Sequence, residues 1–254
     1  EKLSEGMIKE LHSILKSGTS DSRKDWFAVG EYKRLPNEVG GFETTAPENV
    51  HKEIKSLLKE YNSIKMKSLE DIIDLHQRFE SIHPFRDGNG RTGRILNVLF
   101  LCQKGYLDAP ILYASSYIIK NKNEYYELLR TAKETEKYEA IVSYMLHSFK
   151  DTAEHTLRIV ESIKQLMEQY TDKDYLLTLK GQYEPLYNTV NLVFKKAYVR
   201  IADVVDLGIH RQTAAVYLDQ LVDEGLLTKE KVGRDNIYKN VKLIALFEND
   251  SEVT

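Results

Sequence analysis

The sequence predicts an all-α domain carrying a small β-hairpin flap, followed by a small C-terminal winged helix-turn-helix domain. Three observations carry this. Apolar residues recur at helical spacing from Leu3 to about Tyr170. One segment, Trp26 to Thr45, breaks that rhythm with Gly30, Pro36 and the Gly40-Gly41 pair, which suits a short hairpin or an irregular flap. After about Ala197 two short helical runs lead into a hairpin pattern, and that is the winged-helix order.

Taken in order, Leu3, Met7, Ile8, Leu11, Ile14 and Leu15 predict a first helix that stops at Gly18. Pro47 suits the first position of the next helix, whose apolar face is Val50, Ile54, Leu57, Leu58 and Tyr61. Ser68 and Asp71 form a capping-box pattern ahead of Ile72, Ile73, Leu75, Phe79 and Ile82. That helix must break near Pro84 and restart around Gly90 or Arg91, running on to Gly105. Further helices are expected over residues 115–131 and 138–170. Beyond residue 197, Val199, Ile201, Val204 and Val205 predict a short helix, Gly208 a turn, and Ala214, Ala215, Leu218, Leu221 and Val222 a second helix. Leu226 to Asn240 reads as a hairpin turning near Gly233. The expected domains are 1–150 for the main helical unit, 151–195 for a helical connector and 196–254 for the winged helix.

Composition narrows the class. With 254 residues, 42% hydrophobic and 30% charged, the chain can bury a real core. A net charge of −3 gives no global attraction to polyanions or membranes. No run reaches the roughly 18–20 apolar residues of a membrane span. The single cysteine, Cys102, sits in an apolar helical run and reads as a buried, inert residue. It fits a reducing compartment, taken as the cytoplasm. The chain opens at Glu1 rather than Met, and upstream sequence is expected.

The chemistry concentrates in one loop, HPFRDGNGRTGR, from His83 to Arg94. Gly88 and Gly90 let the backbone take positive φ and approach a ligand closely. With Asn89 between them, successive N–H groups can turn inward as an anion nest, and the helix start adds free N–H groups and a positive dipole end. Arg91 and Arg94 share a helix face. Asp87 is the loop's carboxylate, the kind of group that holds Mg²⁺ together with phosphate oxygens. His83 is its proton acceptor near neutral pH. The parts describe a polyphosphate site with a metal and a base beside it. GNGRTG also matches G-x-G-x-x-G, but the dinucleotide fingerprint needs a strand before it and the preceding segment is helical in pattern. A P-loop fails for want of Lys and Ser/Thr after Gly93. A plain surface loop is the bland competitor, made poorer by one His, one Asp and clustered Gly and Arg within twelve residues.

The loop resembles the Fic family motif H-P-F-x-[D/E]-G-N-G-R-x-x-R, with every specified position present. GEYKRLPNEVGG followed by TTAPENV resembles the family's flap and next helix, and NKNEYYELL resembles the stretch closing over the nucleotide base. The resemblance covers about Leu3 to Phe149.

What it implies is AMP transfer from ATP to a Ser, Thr or Tyr hydroxyl of a protein, with loss of pyrophosphate. His83 would take the hydroxyl proton, Phe85 anchor the loop, and Asp87 hold Mg²⁺. The ATP site would run through Arg86, Asp87, Gly88, Asn89, Gly90, Arg91, Thr92, Gly93 and Arg94. The backbone of 88–90 would be its anion hole, Arg91 would bind the leaving phosphates and Arg94 the γ-phosphate. Tyr125 or Tyr126 would flank the adenine, or pack in the core. The flap residues Gly40, Gly41, Phe42 and Glu43 would hold the target in extended form.

Many relatives carry an inhibitory helix, [S/T]-x-x-x-E-[G/N], whose Glu pairs with the second motif arginine, here Arg94. Glu5-Gly6 and Glu248-Asn249 lack the leading Ser/Thr, and Thr44–Asn49 falls in the flap with Pro47 inside it. The helix is expected upstream of Glu1; without it Arg94 is free and the enzyme active, itself included among its targets. In the C-terminal module, His210, Arg211, Gln212, Thr213 and Tyr217 are expected on or near the exposed side of the second helix, His210 as a near-cap residue. Residues 197–242 hold seven basic and seven acidic side chains, so docking of a protein is as good a reading as DNA. A homodimer stays open. Two further functions compete: a winged-helix DNA-binding regulator whose loop only senses nucleotide, and a Fic transferase using another phosphate-containing donor.

Overall fold

Helix α1 (Glu5–Lys16) starts where Ser4 caps it, its hydroxyl accepting the Met7 N–H. This computed structural model describes residues 2–19, 28–63, 68–112 and 114–248. Trp26, at the start of the expected flap, and Asn249 lie outside the described residues. The buried face of α1 is Ile8, His12 and Lys16. Met7 and Ile14, read from the sequence as apolar-face residues, are exposed. Spacing alone could not choose between two neighbouring stripes; the partner surface did.

The flap is a two-residue hairpin, β1 (Glu38–Val39) paired with β2 (Phe42–Glu43). Its turn is Gly40-Gly41, with φ of 56° and 83°. Positive φ at both central residues is the type I′ requirement, which glycine meets without strain. Helix α2 (Pro47–Ser63) begins at Pro47 as expected. Helix α3 (Leu69–Ile82) has the full capping box from Ser68 and Asp71. Helix α4 (Asn89–Gln103) follows the loop.

The helix expected over 115–131 is two, α5 (Ser115–Lys120) and α6 (Lys122–Thr135). They part at Asn121, whose φ of −109° leaves the helical region and whose side chain donates to the Tyr117 carbonyl. Helix α7 runs Glu139–Thr171. The first core gathers Ile54, Ile72, Phe79, Phe85, Leu129 and Met145, all fully buried, each worth about 1.5–3 kcal/mol of apolar burial. Cys102, expected buried, is half-buried.

By backbone contacts the chain divides into units 1–154 and 155–254. In the second, α8 (Lys173–Thr178) and α9 (Tyr183–Lys195) join one core with the C-terminal elements, through Leu176, Leu186 and Val190 beside Val204, Leu218 and Tyr238. Val199, read as helical, lies in a strand, β3 (Tyr198–Arg200), ahead of α10 (Ile201–Val205). A β-branched residue in a three-residue segment satisfies either pattern, and pairing with a distant strand decided it. After the turn at Gly208 come α11 (Arg211–Asp223), the hairpin β4 (Leu227–Val232) and β5 (Asp235–Asn240), and α12 (Val241–Glu248). Strand order is β3-β5-β4, antiparallel throughout. His210 is the N-cap of α11. Tyr217, expected on the exposed side, is buried, and its hydroxyl accepts the Gln182 N–H at 3.2 Å. No described helix is long and apolar enough to cross a membrane.

Candidate active site

The loop begins with a strained residue. His83 ends α3 in the left-handed region, φ 50° and ψ 60°, a conformation uncommon for a side chain other than glycine. Pro84 disfavours the helical region at His83. The ring therefore folds back over the last turn, and its Nδ1–H donates to the Glu80 carbonyl at 3.3 Å. Burial pushes the His83 pKa down to about 4, against the Glu80 carbonyl and with Lys33 adding to the fall. The imidazole is neutral at pH 7, and Nε2 carries the lone pair.

Phe85 is fully buried. Its main chain is gripped by Asn89, which accepts the Phe85 N–H at 2.7 Å and donates to the Phe85 carbonyl at 2.8 Å. His12 lies on the Phe85 ring and pins two strands of chain at once. Its Nδ1 accepts the Gly30 N–H at 3.0 Å, so Nε2 must donate to the Asp87 carbonyl at 2.9 Å. Burial lowers the His12 pKa.

Asp87 is half-exposed. Its Oδ2 takes a 2.7 Å bond from the buried Lys16 ammonium and a 3.1 Å bond from Arg91. Burial favours protonation, but Lys16, the Gly88 amide and Arg91 outweigh it and hold the carboxyl below its ordinary pKa. Gly88 caps α4 with φ 86° and no side-chain cap bond, so that helix start keeps N–H groups without a side-chain acceptor and the positive end of the dipole. Any side chain at Gly90 would press on the Arg94 guanidinium at 3.0 Å. Arg94 Nε donates to Ser115 Oγ at 2.7 Å. Arg86 reaches the Pro36 carbonyl in the flap stem at 3.3 Å.

Other expected site residues fall elsewhere. Thr92 and Gly93 are turned inward. The Thr92 hydroxyl donates to the Gly88 carbonyl, and Gly93 packs on Glu80 and His76. Tyr125 is in the core, its hydroxyl bonded to His76 Nε2 at 2.8 Å. Tyr126 is the tyrosine at the flap, with its ring against Gly40. Phe42 is buried under the Lys133 ammonium, which also donates to the Glu43 carbonyl. A cleft of about 420 Å³ is walled by Arg91, Arg94, Leu15, Ile95, Val98 and Ser115; His83 and Asp87 are not among its walls. Glu80 is the group near both: 3.8 Å from His83 Nδ1 and within the field of Arg94.

Sequence reasoning passed over His12, Lys16, Lys33 and Glu80. The buried Lys33 ammonium donates to Asn37 Oδ1 at 2.7 Å, Thr44 Oγ1 at 2.6 Å and the Ile82 carbonyl at 3.2 Å. Burial pushes its pKa down to about 8. It ties both ends of the flap to the residue before His83. No local pattern marked Lys16 or Lys33, because the groups they meet lie 71 and 49 residues away.

Residues 2–101 match the model of the Fic/DOC family, a span that includes the whole loop. Over that span the chain is similar to Fic domains. Residues 160–243 match the model of the C-terminal domain of SoFic-like protein adenylyltransferases, to which the second unit is similar. Over 107 residues the chain is 31% identical to the protein adenylyltransferase fic-1 of Caenorhabditis briggsae, covering 41% of this chain and 20% of that protein. It is 30% identical over 132 residues to a probable protein adenylyltransferase of Aquifex aeolicus, covering 43% of this chain and 39% of that one. The chain thus spans between a fifth and two fifths of the length of these relatives. A crystal structure of a Fic family protein from Desulfovibrio desulfuricans aligns with a TM-score of 0.55 at 22% identity, over 93% of this chain and 68% of that chain; what that likeness shows is the fold.

Proposed function

We propose that the chain moves AMP from ATP to a hydroxyl group of a protein, releasing pyrophosphate. The observation that supports this most is one arrangement. A neutral His83, its Nδ1 proton committed to Glu80, stands near an ionised Asp87 and the uncapped start of α4. Relatives named as protein adenylyltransferases support the same reading. The target hydroxyl gives its proton to His83 Nε2 as its oxygen attacks the α-phosphate. The amides of 88–90 and the Arg91 and Arg94 guanidiniums bind the phosphate oxygens. A positioned base supplies about 10²–10⁴-fold, and preorganised donors at the developing charge often supply more.

A Mg²⁺ ion fits here. Asp87 is ionised and half-exposed, and one carboxylate with phosphate oxygens is a common way to hold this ion. Among the described residues no cluster of three His, Cys, Asp or Glu offers an all-protein cage. When bound, the ion would neutralise the triphosphate charge. The half-buried flap hairpin would take the target's main chain as an added strand. The winged-helix part of the second unit would dock the target or another protein, a role its balanced charge suits better than DNA.

The test is intact mass spectrometry of the chain after incubation with ATP and Mg²⁺, using ATP labelled in turn in the adenine and in the γ-phosphate. An adduct carrying the adenine label supports AMP transfer to itself; a γ-phosphate adduct would move the reading to phosphate transfer. Undiminished labelling by His83→Ala would remove the role given to that residue.

A further inference from the structure

We propose that Glu80 is a positioning residue for His83. It holds the imidazole with Nδ1 protonated and supplies the counter-charge when Nε2 takes the hydroxyl proton. The inference rests on the AMP-transfer reading and names a part of that site beyond the loop.

The geometry is local and specific. Glu80 and His83 lie one turn apart at the end of α3. The left-handed cap turns the His83 ring toward that turn, so Nδ1 meets the Glu80 carbonyl at 3.3 Å and Glu80 Oε2 at 3.8 Å. Glu80 is 2% exposed, and its other oxygen, Oε1, is buried without a hydrogen-bond partner. Buried polar atoms are nearly always satisfied, and one that is not invites a functional explanation. Gly93 is what admits it: a Cβ there would stand 2.6 Å from Oε1.

The groups facing Glu80 come from three helices. They are His76 and His83 on α3, Arg94 on α4, and Tyr125 and Tyr126 on α6. His76 is neutral, its pKa pushed down to about 3 by burial, and its Nε2 is bonded to Tyr125. Burial raises the Glu80 pKa to about 7, with Arg94 opposing the rise. The carboxyl therefore ionises in the range where the transfer would run.

The proton ledger closes. The target O–H bond breaks and its proton goes to His83 Nε2. The oxygen's electron pair forms the bond to the α-phosphorus. The bridging P–O bond breaks and its pair leaves with pyrophosphate. The Nδ1 proton stays on the ring, and Glu80 gains and loses nothing. The new imidazolium is disfavoured by burial and by Lys33. A carboxylate within about 4–6 Å shifts such an equilibrium by about 1–3 pKa units, a factor of ten to a thousand.

The experiment compares wild type with Glu80→Gln, which keeps the packing on Gly93. The expected result is kcat down at least about tenfold with KM for ATP within about twofold. The acid limb of kcat should lie near pH 7 in wild type and move lower in the variant. A variant with unchanged kcat and pH profile overturns the proposal, as does a loss carried by KM alone. Ring ¹⁵N spectra of substrate-free wild type give a readout free of folding and activity: His83 must hold its proton on Nδ1 at pH 8, and an Nε2–H tautomer overturns the assignment. Wild type that shows the expected tautomer yet transfers no AMP would instead sink the functional reading.

Discussion

His12 and Phe85 lie ring on ring, with centroids 3.9 Å apart and an interplanar angle of 2°. The pair joins α1 to the loop, and the same imidazole binds the Asp87 carbonyl and the Gly30 amide. His12→Ala removes a stacked contact worth about 0.5–1.5 kcal/mol and two hydrogen bonds worth about 1 kcal/mol each. The expected cost of about 2–4 kcal/mol lowers Tm by roughly 5–15 °C and weakens ATP binding. His12→Phe, which keeps the stack alone, should fall between. A His12→Ala protein melting within about 1 °C of wild type would show that the ring does not hold the loop.

Lys33 makes the corresponding tie for the flap. Lys33→Met keeps the aliphatic stem but drops the bonds to Asn37, Thr44 and the Ile82 carbonyl. Hydrogen exchange over residues 38–43 should quicken by about tenfold, equivalent to about 1.4 kcal/mol of lost local stability. ATP affinity, measured by calorimetry, should change little. Flap exchange as slow as wild type would mean that the hairpin is held by Phe42, Tyr126 and Lys133 instead.

Gly93→Ala is a test of sign. On helix propensity alone, alanine gains up to about 1 kcal/mol over glycine. Here the new methyl group would stand 2.6 Å from Glu80 Oε1 and 3.2 Å from the His76 ring. Overpacking of this kind costs about 1–3 kcal/mol, so the variant should be less stable and, through Glu80 and His83, slower. A raised Tm would show that α3 and α4 can part there without penalty.

The loop itself was legible because its chemistry is contiguous. Glycines, one acid, one imidazole and three arginines within twelve residues allow few other uses, and the structure keeps Asn89 and Phe85 locked together as a unit. The hairpin was legible because Gly40-Gly41 meets a turn requirement that few other pairs meet. What could not be read were the supports. Lys16 meets Asp87 across 71 residues, and Lys33 meets the Ile82 carbonyl across 49. Nothing local marks one lysine among 36 basic residues as buried. Tyr217 failed for the same reason: its partners, Gly181 and Gln182, belong to a segment distant in sequence.

The buried histidines give a prediction in pH. Burial pushes His83 down to about 4 and His76 to about 3, and lowers His12 as well. The unfolded chain accepts these protons below about pH 6.5 while the folded chain refuses them. Their contribution to stability is therefore full above that pH and is lost progressively as pH falls toward the folded values. Each costs about 1.4 kcal/mol per pH unit inside the window. Glu80 acts in the opposite sense: raised to about 7, it holds a proton in the folded chain that the unfolded chain releases above its ordinary carboxyl pKa. Between about pH 4.5 and 6.5 His76 and Glu80 therefore nearly cancel, and His83, with the share from His12, sets the slope. Differential scanning calorimetry should find wild-type Tm falling with acid in this window. His83→Ala should be shallower by about 3–6 °C per pH unit. Equal slopes would mean that the His83 ring titrates in the folded chain as it does in water, and the neutral base required for proton removal would lose its physical basis.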